Sequence, residues 1–250
     1  MSLKSLIFDV DGTLAETERD GHRIAFNEAF RAAGLDWTWD PQLYGELLAV
    51  TGGKERIHHF CARFRPDFLN LPDCDARVRK LHEDKTARYV ELVRHGGVPL
   101  RPGIARLLAD ARTAGIRLAI ATTTSPDNVT ALLRASVAPD ADTWFEVIGA
   151  GDIVPEKKPA PDIYLWVLER LSLAAAECLA MEDSVNGLRS SLAAGIPTLI
   201  TEAQYTRGSD FTGALAVLPD IGNTTLQQIM QLHAQGACET PTELAHLRNG

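Results

Sequence analysis

Hydrophobic positions crowd together near the start of the chain, where Leu6-Ile7-Phe8 runs directly into Asp9-Val10-Asp11-Gly12-Thr13. This is the pattern of a short buried strand that delivers two carboxylates into a glycine-containing turn. Past Leu14 the period lengthens. Over 16–34, apolar Ile24, Ala25, Phe26, Ala29 and Phe30 recur among charges, as along one face of a helix that Gly34 would stop. Helical spacing continues over 41–48, 54–64 and 75–93, the last with Val78, Leu81, Tyr89, Val90 and Val93 on a face. No strand pattern interrupts this stretch, and His95-Gly96-Gly97-Val98-Pro99 reads as the loop that leads out of it.

From Pro102 the alternation becomes regular. Pro102-Gly103 opens a helix through Leu107, Leu108 and Ala111 that stops at Gly115. Strands are expected at 117–121, 145–148, 178–181 and 198–200, alternating with helices at 127–135, 162–171 and 185–194, the last closed by Gly195 and Pro197. A further short strand is expected at 215–218 and a final helix at 226–233. Strands that alternate with helices imply right-handed crossovers and a parallel sheet that binds ligands at its carboxyl edge. The expected fold class is therefore α/β: a doubly wound, Rossmann-like parallel sheet built from 1–15 and 96–250, with an all-helical domain, 16–95, inserted.

Composition narrows the function classes. Of 250 residues, 45% are hydrophobic and 23% charged, ordinary for a globular chain able to bury a core. With 33 acidic against 25 basic residues the net charge is -8, which argues against general binding to nucleic acid or to anionic membranes. An anionic ligand must then be drawn by a local positive site. Cys61, Cys74, Cys178 and Cys238 are scattered, without a CxxC pair, which fits reduced, buried thiols. No apolar run reaches membrane-spanning length and no signal peptide precedes the first strand, so a cytoplasmic protein is expected, as a monomer or small homo-oligomer.

The candidate chemistry sits where strands end. Residues two apart on a strand end point the same way, so Asp9 and Asp11 both face the sheet edge. Two carboxylates that close repel unless a cation lies between them or one is protonated. With Mg²⁺ bound, one suits nucleophilic attack on phosphorus while the other serves as acid and base. An Asx-type turn after an edge strand would use the same Asp-Gly pair, and five residues alone leave both readings open. Thr122-Thr123-Thr124-Ser125 follows the strand 117–121 and offers hydroxyls and amides to an oxyanion, or a helix N-cap. Lys157-Lys158-Pro159-Ala160-Pro161-Asp162 holds a lysine on a proline-stiffened loop, with Lys158 the better candidate for a phosphoryl oxygen. Met181-Glu182-Asp183-Ser184 brings two more acids to a strand end, as an Mg²⁺ site needs. Each has a bland alternative; their convergence on one sheet edge is what points to catalysis.

DVDGTL at 9–14, the threonine cluster at 122, KKPAPDIY at 157–164 and EDSVNG at 182–187 resemble, in order, the four signatures of the haloacid dehalogenase-like phosphohydrolases. The helical insertion resembles the cap of the phosphoglycolate phosphatase and β-phosphoglucomutase branch. The resemblance implies Asp9 as nucleophile, Asp11 as general acid and base, and Thr122 and Lys158 on the phosphoryl group. It also implies Mg²⁺ on Asp9, the Asp11 carbonyl and Asp183, with Glu182 in or beside that shell. ETE at 16–18, TGGKERI at 51–57, PLRPG at 99–103 and the triple threonine are similar to the CbbY-type phosphatases of the Calvin cycle, which act on xylulose 1,5-bisphosphate.

A bisphosphate needs a second positive site, and Lys54, Arg56, Arg63 and Lys85 lie on the expected cap helices. Lys85 precedes Tyr89 by four residues, as does a substrate-facing cap lysine in the mutase branch. Gly52, Gly53 and Lys54 in the TGGK segment, with Thr123 and Thr124, complete the expected substrate contacts, and Glu16 is placed on a sugar hydroxyl. His58 and His59 are adjacent, lack metal-site spacing, and are read as helix-surface residues. The expected activity is thus an Mg²⁺-dependent sugar-phosphate phosphatase, with a β-phosphoglucomutase-type mutase or a phosphoglycolate phosphatase as alternatives.

Overall fold

A computed structural model describes residues 2–236. The chain runs β1 (Ser5–Phe8), a π-helical turn (Glu18–His22) that leads unbroken into α1 (Arg23–Ala32), α2 (Pro41–Leu47), α3 (Gly53–Phe64), the one-turn α4 (Pro66–Leu69) and α5 (Cys74–Arg94). It continues through α6 (Ile104–Thr113), β2 (Arg117–Ala121), α7 (Pro126–Ser136), β3 (Phe145–Gly149), α8 (Asp162–Leu171), β4 (Cys178–Glu182), α9 (Val185–Ala193), β5 (Thr198–Thr201), β6 (Ala216–Leu218) and α10 (Leu226–Gly236). The strands form one parallel sheet in the order β3-β2-β1-β4-β5-β6.

Successive side chains of the central strands go to opposite faces, and both faces are covered, which is why these strands read as continuous apolar runs. Leu6, Phe8, Leu118, Ile120, Leu179 and Met181 pack with α6, α7 and α10 on one side. Ile7, Ala119, Ala121 and Ala180 pack with α8 on the other. The order reverses between β1 and β4, and the register sets Phe8 opposite both Ile120 and Met181. The residues that leave these three strands, Asp9, Thr122 and Glu182-Asp183, therefore emerge side by side at the switch point, where doubly wound sheets bind ligands.

The helices between β1 and β2 have an apolar cluster of their own. Phe26, Phe30, Trp37, Trp39, Tyr44 and Phe60 are buried together, with ring pairs such as Phe30–Trp39 at 4.9 Å and Trp37–Phe60 at 5.4 Å. Farther along α5, Tyr89 and Val93 join the sheet-side core instead, so α5 bridges the two clusters.

Two departures from the sequence reading matter. The expected helix over 16–34 begins as a π-helical turn, and α4 was not foreseen. The π turn packs Gly21 so tightly on Tyr89 that a Cβ there would lie 2.7 Å from the ring, and it is this turn that presents Thr17 and His22 to Asp11. Cys61, Cys74 and Cys178 are free, buried thiols, whereas Cys238 lies outside the described residues. Among the described residues no helix is long and apolar enough to cross a membrane.

Candidate active site

Asp9 is held at the end of β1 by its backbone N–H, which donates to the Met181 carbonyl at 3.0 Å. Its Oδ1 accepts from Lys158 Nζ at 2.7 Å, and the same ammonium donates to Glu182 Oε1 at 2.6 Å and to the Ala121 carbonyl at 2.8 Å. Tyr164 Oη also donates to Glu182 Oε1, at 2.6 Å. Lys158 thus spans β1, β2 and β4 at the level where the strands end. Glu182 has no exposed surface, and its Oε1 serves the lysine and the tyrosine.

These charges do not balance. Burial pushes the Asp9 carboxyl up to about 7 despite Lys158, with Glu182 and Asp11 adding to the rise. Burial raises Asp183 well above the usual carboxylate range too, reinforced by the neighbouring Asp9 and Glu182 anions. Lys158 is desolvated, but Asp9 and Glu182 outweigh that and keep it charged. One oxygen from each of Asp9, Glu182 and Asp183 lies within 4.8 Å of the other two, and Glu182 Oε2 has no hydrogen-bond partner. Three buried carboxylates answered by the Lys158 ammonium and, at Asp183, by the charge of Arg101 still leave the site short of positive charge, with all-oxygen donors that suit a hard divalent cation.

Asp11 has a different environment. Its Oδ1 accepts from Thr17 Oγ1 at 2.6 Å and pairs with His22 Nε2 at 2.9 Å, while Lys85 Nζ sits 2.8 Å from His22 Nδ1. Burial alone would raise the Asp11 carboxyl; His22, the two hydrogen bonds and the Lys85 charge outweigh it and hold the group well below its ordinary value. The two aspartates two residues apart are thereby driven in opposite directions.

The loop between them depends on Gly12, whose φ is +88° and whose added Cβ would fall 2.3 Å from Asp183 Oδ2. The Gly12 carbonyl accepts from the guanidinium of buried Arg101, which also donates to the carbonyls of Thr201 (2.9 Å), Glu202 (2.7 Å) and Pro219 (2.7 Å). On the β2 side, the Thr122 N–H is fixed on the Gly149 carbonyl at 2.9 Å, and Asn128 Nδ2 donates to Thr124 Oγ1 at 3.0 Å. Ser125 caps α7.

A cavity of about 110 Å³ opens over Asp9, Asp11, Thr122, Lys158 and Asp183. Glu16, Gly52, Arg56 and Thr123 also line it, whereas Gly53, Lys85 and Thr124 line an adjoining chamber with Asp11. Arg56 is buried and donates to Tyr44 Oη at 3.0 Å, and Tyr44 donates in turn to Glu18. Lys54 is not brought to the cavity: it pairs with Asp152 at 2.6 Å. Arg63 pairs with Glu46 at 3.1 Å and also stays outside. A larger groove of about 1030 Å³ between α5 and α7 contains none of the converging carboxylates.

Thr17, His22, Asn128 and Tyr164 escaped the sequence reading. Thr17 lies within ETE and Tyr164 within KKPAPDIY, but neither carries a role there, and His22 belongs to no motif. Lys85 did leave a trace, as a single cation on the buried stripe that runs through Val78, Leu81 and Tyr89, but nothing in the spacing names His22 as its partner.

Residues 3–195 match the model of the haloacid dehalogenase-like hydrolases, and the chain belongs to that family of hydrolases, in its CbbY-type phosphatase group. The plasmid-encoded protein CbbY of Cupriavidus necator is 49% identical, over 98% of this chain and 96% of that protein. The crystal structure of CbbY from Rhodobacter sphaeroides with phosphate has a TM-score of 0.80 and 47% identity, covering 88% of this chain and 96% of that one. A mutant of that same protein, crystallised with xylulose-(1,5)bisphosphate, matches equally well.

Proposed function

We propose that this phosphatase is Mg²⁺-dependent and hydrolyses a small sugar phosphate through an aspartyl-phosphate, with xylulose 1,5-bisphosphate its favoured substrate. The observation that carries the reading is the opposite electrostatic treatment of Asp9 and Asp11 at one sheet edge beside Lys158. Similarity to a protein crystallised with the bisphosphate supports the substrate, and the CbbY relatives support a role beside carbon dioxide fixation; a cytoplasmic location is part of the same proposal.

Asp9 and Asp183, with the Asp11 carbonyl, are the groups that would hold Mg²⁺; Glu182 acts beside them by fixing Lys158. An ion held there would supply the missing positive charge and offset the repulsion between Asp9 and a phosphoryl oxygen. An Asp9 oxygen attacks phosphorus, the bond to the sugar oxygen breaks, and Asp11 gives its proton to that oxygen. Water then attacks the aspartyl-phosphate, yields its proton to Asp11, and releases phosphate with Asp9 regenerated. Lys158 and Thr122 hold phosphoryl oxygens throughout. The resting form of Asp11 is the base, as the second step requires; the acid form is reached when the substrate's negative charge raises its pKa.

In this reading residues 16–95 are the cap over a core made of the described residues within 1–15 and 96–250. The cavity lies between residues of the core and of the cap, so movement of the cap would govern substrate access. Within the cavity Arg56 is the cation placed to meet the distal phosphate, in exchange for its present Tyr44 and Glu18 partners.

Phosphate release measured over a panel of pentose and hexose phosphates with Mg²⁺ tests the reading. Expected are the highest kcat/KM with xylulose 1,5-bisphosphate, loss of turnover in Asp9→Asn, and beryllium fluoride bound at Asp9. An isomerised sugar phosphate without free phosphate would make the chain a mutase, and turnover that survives Asp9→Asn would overturn the mechanism.

A further inference from the structure

His58 on α3 and Cys74-Asp75 at the start of α5 meet on the flank of the helical layer, and none of the three lines the catalytic cavity. One ligand atom from each lies within 4.8 Å of the other two, and His58 Nε2 is 3.5 Å from Asp75 Oδ1. Tetrahedral zinc has ligand bonds of about 2.0 to 2.3 Å, which places its ligand atoms about 3.3 to 3.8 Å apart. Closing the triangle therefore takes a shift of about 1 Å, and the two side chains that would move most are solvent-accessible, with relative exposures of 41% for His58 and 80% for Asp75.

We propose that His58, Cys74 and Asp75 bind a thiophilic divalent cation of the zinc type, at a second metal site separate from the catalytic carboxylates. The donor sets differ in kind: thiolate, imidazole and one carboxylate select zinc-like ions, whereas the all-oxygen set of Asp9 and Asp183 selects magnesium. Burial and the neighbouring Asp75 and Asp73 carboxylates push the Cys74 thiol up, so the metal has to displace the thiol proton on binding. A depression of about 510 Å³ opens on the three residues, with Asp73 beside them and Arg79 on its wall, which leaves the fourth coordination position to water. The ion would staple α3 to the N-terminal end of α5 beside the aromatic cluster, to which Cys74 already belongs. Sequence spacing hides the site because the ligands come from two helices.

Cobalt(II) distinguishes the sites, because only a thiolate ligand gives the near-ultraviolet sulfur-to-cobalt charge-transfer band. Titrating the Mg²⁺-saturated, reduced protein with Co²⁺ should produce that band, saturating at one equivalent and abolished by Zn²⁺. Cys74→Ser should lose the band, and His58→Gln and Asp75→Asn should bind cobalt at least about tenfold more weakly. The last two changes are at exposed positions and keep the test independent of any packing loss at Cys74, with circular dichroism to verify folding. Absence of the band from the wild-type protein, its survival in Cys74→Ser, or wild-type affinity in both other variants would overturn the proposal.

Discussion

Lys85 Nζ stands 2.8 Å from His22 Nδ1, and the other nitrogen of the same ring, Nε2, stands 2.9 Å from Asp11 Oδ1. A buried cation on α5 is thus linked through the ring to a carboxylate at the sheet edge that it does not touch. The geometry makes Lys85 and His22 positioning residues for Asp11.

Replacing Lys85 by Met should therefore raise the Asp11 pKa, lower kcat by about 10- to 100-fold and leave KM nearly unchanged. The acid limb of the pH–rate profile should move to higher pH. Burial lowers Lys85 itself to about 8, so wild-type turnover should also decline above that pH as the ammonium is lost. If Lys85 instead gripped a distal phosphate, the variant would show a raised KM for bisphosphates and intact turnover of monophosphates.

Asp9 leads to a pH dependence of opposite sign. Its folded pKa of about 7 lies above its ordinary value of 3.8, so between those limits the metal-free folded state holds a proton that the unfolded chain has lost. Without divalent ions, stability from this group should be greatest at the acidic end of that window and decline as pH rises through 7. Asp11, with its depressed pKa, contributes in the other direction, and its share is lost only in acid below the ordinary carboxylate range. Mg²⁺ has to displace the Asp9 proton, so its apparent affinity should fall about fivefold between pH 7 and pH 6 from this group. Isothermal titration at several pH values checks the slope, and denaturation in EDTA checks the stability.

What the sequence reveals follows from how local each interaction is. Asp9, Thr122 and the Glu182-Asp183 pair were legible because an apolar run leads directly into each, and parallel strands in register must end together. Lys158 was separable from Lys157 by its place against Pro159, and the structure sends them apart, one to Asp9 and the other to Glu55. His22 was illegible because its two partners lie 11 residues behind and 63 ahead, reached only through a π-helical turn that no periodicity announces. Lys54 was read as facing the substrate from its neighbours in the chain, but its partner Asp152 comes from 98 residues away. Arg101 passed as an ordinary charge in PLRPG because most of its partners are backbone carbonyls, which leave no mark in a sequence.

Gly12→Ala should separate folding from metal binding. A Cβ at φ +88° is strained and lies 2.3 Å from Asp183 Oδ2, so the carboxylate must shift. Strain of about 1 to 3 kcal/mol should appear in urea denaturation. Mg²⁺ affinity should fall further than stability does, because the displaced atom belongs to the proposed metal ligand. A variant with lowered stability but unchanged Mg²⁺ affinity would show that Asp183 does not hold the ion.

The start of α3 is tied to the β3–α8 connection by charge. Lys54 pairs with Asp152 at 2.6 Å, and Lys157 with Glu55 at 2.6 Å and Asp152 at 3.0 Å. Asn186 Nδ2 adds a neutral hydrogen bond to Thr51 Oγ1 at 3.1 Å. If the cap opens at this seam, these contacts break on each cycle and act as a latch. Partly exposed pairs are worth about 0 to 1 kcal/mol each, so Lys54→Met with Glu55→Gln should shift the open–closed balance by several-fold. That change should appear in KM and in the rate of product release, with the chemical step in single turnovers unaltered. Salt screens the same charges, so raising ionic strength should move the wild-type KM toward that of the double variant and leave the variant nearly insensitive. Measuring KM against KCl for both proteins tests this: parallel salt dependences would place the hinge movement elsewhere.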